Sequence, residues 1–200
     1  VTIRPNASVT ASITGASATA QVFRIRNSYV TIDGSNSGGT DRSLTIENTS
    51  VTTPQVVSFN SSGATPLVGG GIRNCNLING VNTSSALVLV DLAGTAGYFN
   101  NMTIQNNSIQ KAYIGIFCNA FVAAGNGSGL LIAGNDLSTI GANSVRYTGI
   151  YVQGHDGAVV RNNTIANFDG ASGEDDRGIW FATGTVNSTI DANAIHTLKY

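Results

Sequence analysis

The stretch VVRNNTIANF, residues 159–168, decides how this chain is read. It sets Asn162 and Asn163 inside an apolar run, although Asn is depleted in strands and forms helices poorly. The frame around them is Val160-x-x-Asn163-x-Ile165, and it recurs. Ile104-x-x-Asn107-x-Ile109 and Ile132-x-x-Asn135-x-Leu137 match it before, and Ile190-x-x-Asn193-x-Ile195 after. Ile72-x-x-Cys75-x-Leu77 and Ile46-x-x-Thr49-x-Val51 keep the apolar ends with a small residue in place of Asn. Frames starting at 46, 72, 104, 132, 160 and 190 lie 26, 32, 28, 28 and 30 residues apart. Such spacing is regular enough to mark a repeat of one supersecondary unit.

A second run follows the frame in several repeats. Gly115-Ile116-Phe117-Cys118, Gly149-Ile150-Tyr151-Val152 and Gly178-Ile179-Trp180-Phe181 share a Gly-Ile-aromatic-apolar pattern. Leu87-Val88-Leu89-Val90 and Val56-Val57-Ser58-Phe59 fill the same place earlier. Short β-branched and aromatic runs bounded by Gly, Asn, Ser and Thr read as strands, and no window keeps a helical apolar period. The expected fold is all-β: a right-handed parallel β-helix solenoid of about six to seven coils. It forms one domain over 1–200, with N-terminal strands and first coils in 1–45 and regular coils with loop insertions in 46–200. Stacked at the usual strand spacing, six coils make a core about 30 Å long.

The asparagines then have two duties. Asn48, Asn74, Asn106, Gly134 and Asn162 stand first at the bend between strands, where a residue tolerant of the left-handed region is needed. Asn107, Asn135, Asn163 and Asn193 stand second. Turned inward, their amides are expected to bond the turn backbone and one another, since stacked strands are stabilised by Asn ladders. A buried amide left unpaired would cost about 1–3 kcal/mol.

The Ile-x-x-Asn-x-Ile coils resemble the right-handed parallel β-helix of the pectate-lyase-like superfamily. The N-terminal block is more specific: VTIDGSNSGGTDRSLTIENTS, residues 30–50, with IRNC at 72–75. It is similar to the repeat region of large secreted β-helix proteins of Bacteroidota, exported by the type IX system and displayed at the surface. The resemblance covers nearly the whole chain and implies the fold and an extracellular or cell-surface location. The sequence stops at IHTLKY without the sorting domain usual there, so export by that route is expected to rest on further sequence.

Composition excludes several functions. Ten basic and eleven acidic residues leave a net charge of −1, with the basic ones scattered, so no nucleic acid is expected as a partner. No apolar stretch is long enough for a membrane span. Cys75 and Cys118 are expected as buried small apolar residues, and His155 and His196 as exposed loop or strand-end side chains. Five of the eleven acids, Asp156, Asp169, Glu174, Asp175 and Asp176, fall within 156–176. Carboxylates so grouped could pair for glycoside chemistry or ligate Ca²⁺. The GHD and EDDR segments there are similar to polygalacturonase motifs but stand in the wrong order, without the accompanying Asn-Thr-Asp motif. The expected reading is a solvated acidic loop, with no catalytic residue, no metal and no cofactor.

One feature rises above this background. Alternation turns Ile116, Ile150 and Ile179 inward, so Phe117, Tyr151 and Trp180 face out on successive coils, with Leu89 extending the row. Exposed apolar patches mark contacts; the row is expected to meet a covering loop, a neighbouring chain or a surface glycan. Strand-like sequence at Val1-Thr2-Ile3 and unblunted sequence at 190–200 read as open solenoid ends, which belong to a longer β-helix or stack end to end. The expected function is a non-enzymatic extracellular structural or adhesive protein that could form a surface fibre. A polysaccharide-binding or polysaccharide-cleaving module is the alternative.

Overall fold

The computed structural model describes residues 1–90, 96–170, 173 and 175–198. Three parallel sheets run along the chain as the faces of a β-solenoid of about six turns. The first sheet orders Thr2–Ile3, Val30–Asp33, Gly70–Arg73, Thr103–Gln105, Leu131–Ala133, Val159–Arg161 and Thr189–Asp191. The second orders Ala11–Gly15, Leu44–Asn48, Cys75–Ile78, Ser108–Gln110, Asp136–Leu137, Thr164–Ala166 and Ala194–His196. The third runs through Gln21–Ile25, Gln55–Phe59, Leu87–Leu89, Ile114–Asn119, Thr148–Gln153 and Arg177–Phe181. Each strand pairs with its counterpart one coil away, so like stands over like.

Burial follows the columns. Ile72, Ile104, Ile132 and Val160 line up on the first sheet, and Ile46, Leu77, Ile109, Leu137 and Ile165 on the second, all buried. Leu87, Ile116 and Ile150 close the third side. A single coil has no inner partner of its own, and stacking supplies one.

The corner between the first and second sheets holds the amide ladder. Asn135 Oδ1 accepts from the backbone N–H and the side-chain amide of Asn107, each at 3.0 Å. Asn163 Oδ1 does the same for Asn135 at 2.9 and 3.0 Å, and Asn193 Oδ1 for Asn163 at 3.0 and 2.8 Å. Each side chain also donates to a first-sheet carbonyl one coil back, as Asn135 does to Ile104 at 2.9 Å. The residue before each rung takes the left-handed turn: φ is 58° at Asn74, 51° at Asn106, 64° at Gly134 and 55° at Asn162. A non-glycine side chain there costs least when it is Asn.

The structure corrects two alignments. Ile46 lies on the second sheet opposite Leu77, whereas the partner of Ile72 is Ile32. The frames at 32 and 72 are 40 residues apart, because residues 35–43 loop out of the corner, and that insertion hid the true repeat. Asn48 is likewise absent from the left-handed bends. It is buried at the second corner, where its amide donates to the carbonyls of Ser17, Ala20 and Gln55 at 3.0, 3.2 and 2.8 Å. Asn79 repeats that duty one coil on, donating to Pro54 and Ser84 carbonyls.

Candidate functional site

The outer face of the third sheet is where the sequence places its contact row, and the Gly-Ile-aromatic pattern explains how the row arises. A Cβ on Gly115 would stand 2.4 Å from Leu137 Cδ2, and on Gly149 or Gly178 it would stand 2.7 Å from Cγ2 of Ile165 or Ile195. Glycine therefore leaves room for the branched side chains of the second sheet. The isoleucine that follows points into the core, and the next residue faces out.

Phe117, Tyr151 and Trp180 are in register on three coils. Phe117 and Tyr151 stack with centroids 4.7 Å apart and planes inclined by 30°, and Tyr151 meets Trp180 at 5.0 Å and 87°. Beside them runs a second stack the sequence reading missed, Tyr113 on Tyr147 at 4.7 Å and 6°. The Arg177 guanidinium lies over both Tyr147 (5.2 Å) and Trp180 (4.6 Å), donates to the Tyr147 hydroxyl and pairs with Asp175 at 3.3 Å. One cation thus ties two stacks together, each contact adding about 0.5–1.5 kcal/mol beyond the area it buries. The Tyr113–Tyr147 stack was legible as a repeat of Tyr four residues before Phe117 and Tyr151.

On the other flank the Tyr151 hydroxyl donates to Gln153 Oε1 at 2.8 Å, and Gln153 Nε2 donates to Asn119 Oδ1 at 2.6 Å. Partial burial pushes the Tyr151 phenol up, which keeps it a neutral donor. Phe117 and Tyr151 are half-buried and Trp180 is 37% exposed. The described parts of the neighbouring loops leave Trp180 open. Ring faces here are largely taken up by other rings and by Arg177; edges and amides are what the face offers outward.

Leu89 does not extend this row. It is fully buried opposite Cys118, and Val88 is the residue in register with Phe117. In Leu-Val-Leu-Val both parities are apolar, so alternation could not tell inside from outside.

The remaining candidates stay apart. Asp156 follows the strand that carries Tyr151 and accepts from Asn187 Nδ2 at 2.9 Å; Asp175 precedes the strand that carries Trp180 and holds Arg177. Glu174 lies outside the described residues. Among the described residues no group of three or more His, Cys, Asp or Glu is placed to hold a metal ion. Cys75 and Cys118 are buried and unpaired. Burial first, and then the Asp33 charge, pushes the Cys75 thiol up to about 12, while burial alone raises Cys118; thiols held protonated are poor nucleophiles. His196 is exposed, with Nδ1 3.0 Å from Thr197 Oγ1. His155 departs from expectation: it is buried, its Nδ1 2.8 Å from the Gly127 carbonyl. Gly-His-Asp reads as a polar turn, and the residues that cover it lie a coil away in sequence.

Comparison with protein families, with curated proteins and with solved structures found no match to this chain.

Proposed function

We propose that this chain is a non-enzymatic structural and adhesive element of an extracellular surface, a stiff β-solenoid that carries a contact face. The observation supporting this most is axial continuity of side-chain contact. An amide ladder runs through one corner, and the third sheet carries two ring stacks joined by Arg177. Such contacts resist sliding and bending of one coil against the next, which a support needs and a catalyst does not. The extracellular setting rests on the resemblance of the VTIDGS and LTIEN segments. Single-molecule pulling along the chain tests the mechanical half. A rod of this kind should give way in a few cooperative coil-sized steps, and gradual low-force unravelling would remove the proposal. Self-association along the rod axis belongs to the same reading; sedimentation over a concentration series that finds only monomer would strike it out.

A polysaccharide-binding or polysaccharide-cleaving module is the second reading. It is favoured by the open Trp180 edge beside the amides of Gln153 and Asn119. A glycan array and a reducing-sugar assay on the chain and on Trp180→Ala separate the two. Binding lost in the variant would move the assignment to this second reading.

A further inference from the structure

The corner that returns the chain from the third sheet to the first is built around His155. Its ring is 1% exposed. Because a carbonyl can only accept, Nδ1 must carry the proton it shares with Gly127 at 2.8 Å, which leaves Nε2 as a bare acceptor. That Nε2 is buried with no hydrogen-bond partner. Gly127 ends a loop, residues 120–127, whose first residue is tied to the next coil by Ala120 N–H on the Gln153 carbonyl at 3.0 Å, and whose remaining ties outside the loop run to the preceding coil. Phe121 N–H donates to the Gly97 carbonyl at 2.6 Å, Gly127 N–H to Phe99 at 2.8 Å, and Phe121 stacks on Tyr98 at 5.4 Å. Beside the histidine a groove of about 310 Å³ is lined by Val122, Asn126, Gly154, Asp156, Gly184 and Val186.

We infer that His155 is an acid-sensitive latch: neutral, it fastens the 120–127 loop to the next coil, and on protonation it releases the loop. The reason is local. A proton on Nε2 turns a tolerable bare acceptor into a buried cation with a donor and nothing to receive it, so the corner must open to admit water. Little around it can compensate. The loop 120–127 holds no titratable residue, nor does the covering turn at 182–188. Among the described residues the preceding coil contributes only Tyr98 to this packing, and on the turn of His155 itself the one charge is Asp156, engaged by Asn187. Burial holds the imidazole down at about 4 against its usual 6.5, opposed by the Gly127 bond. Stability from the closed latch is therefore fully present above pH 6.5 and lost as pH falls towards 4. Opening would enlarge, in acid, the apolar surface of Phe121 and Val122, which are already exposed in the closed loop.

The chain has two histidines, so ring NMR of the full chain resolves the titration of His155. His155 should show the Nδ1–H tautomer at neutral pH and a midpoint far below the usual 6.5. Hydrogen exchange in 121–127, corrected for the intrinsic pH dependence, should report about twentyfold more opening at pH 5 than at neutral pH. His155→Asn keeps a donor for Gly127 but takes up no proton, and should abolish that dependence. Two results overturn the latch: His155 titrating near the usual 6.5, or the loop of the Asn variant opening along the same pH curve as the native chain. Should the variant fail to fold, the native titration decides alone.

Discussion

Two stretches of the same solenoid hold their register by opposite means. From 104 to 193 the first corner is tied from inside, each Asn rung bonded to the next at 2.8–3.0 Å. From 30 to 80 the same corner lacks those amides: Cys75 occupies one rung, and in the coil before it the chain leaves the corner altogether at Gly34. There the pinch is closed by Ser43 N–H on the Gly34 carbonyl at 2.9 Å, and by Gly34 N–H on Arg73. A Cβ at Gly34 would meet the Asn74 carbonyl at 1.9 Å, so only glycine allows the approach. The residues looped out return as a strap over the outer bend. Asn106 donates to the Thr40 carbonyl at 2.7 Å and to Asn74 Oδ1 at 2.8 Å, Asn74 donates to Asp33 at 2.7 Å, and Arg42 Nε reaches the Asn106 carbonyl at 2.9 Å. One loop thus binds several coils from outside where the inner ladder has run out. Register in a parallel solenoid needs repeated bonds across coils, and these need not come from identical residues.

The contrast is broken most directly at a ladder rung. Asn135→Leu takes the acceptor from both the Asn107 N–H and the Asn107 side-chain amide and the amide donor from the Ile104 carbonyl, while Asn163 Oδ1 keeps the backbone N–H of residue 135. At about 1–3 kcal/mol for each unpaired buried group, the loss should exceed about 3 kcal/mol. Cys75→Ala removes only a sulfur that bonds its own coil at 3.2 Å, and should cost about 1 kcal/mol. Denaturant midpoints at constant m-value measure both. Equal losses would mean that the ladder is no more than a row of buried small residues.

A middle-sized effect belongs to the third sheet, where register is also held from outside, by rings. Tyr151→Ala removes contacts on both sides of one stack and should destabilise by about 1–3 kcal/mol, most of it recovered in Tyr151→Phe. A double-mutant cycle with Phe117→Ala should give a coupling of about 0.5–1.5 kcal/mol. Zero coupling would leave the row as surface decoration, and the adhesive reading would gain at the expense of the mechanical one.

How much of this was legible depends on what each residue type encodes. The ladder rungs were readable because Asn in an apolar frame has few other uses, and four frames repeat it. The strap's sequence was visible as a specific block, but its role was not, since its partners lie far along the chain: Asn106, and Asp136, whose carboxylate is 4.0 Å from the Arg42 guanidinium. The insertion also shifted the first frame from Ile32 to Ile46, because an apolar pair around small residues recurs on neighbouring sheets. Val88 against Leu89 failed for a different reason: four apolar residues in a row carry no parity. His155 carried no local signal, since its burial is made by other coils. The Tyr113–Tyr147 stack was the one feature that repeat spacing offered and the reading overlooked.

The smallest expected effect sharpens the outside half of the contrast. Asp41 is the hub of the strap: its carboxylate accepts from the hydroxyls of Ser35, Ser37 and Ser43 and from the Asn36 N–H. Those donors, the Ser35 hydroxyl foremost, hold its carboxyl well below the usual carboxylate range. A group depressed in the fold contributes above its unfolded value and loses that contribution only as pH falls through the folded one. The native strap should therefore stay closed at about pH 4, near where ordinary carboxylates are half protonated. Asp41 is partly exposed and its hydrogen bonds stay within its own loop, so Asp41→Asn should leave the denaturant midpoint almost unmoved. What changes is local: the amide cannot accept from three hydroxyls at once, and residues 35–43 should become cleavable at neutral pH while the Asn-laddered coils stay intact. A strap that resists cleavage in the variant would shift the clamp to Arg42 and Asn106. A native strap that opens in step with ordinary carboxylates would mean that the hydroxyl cage does not form in solution.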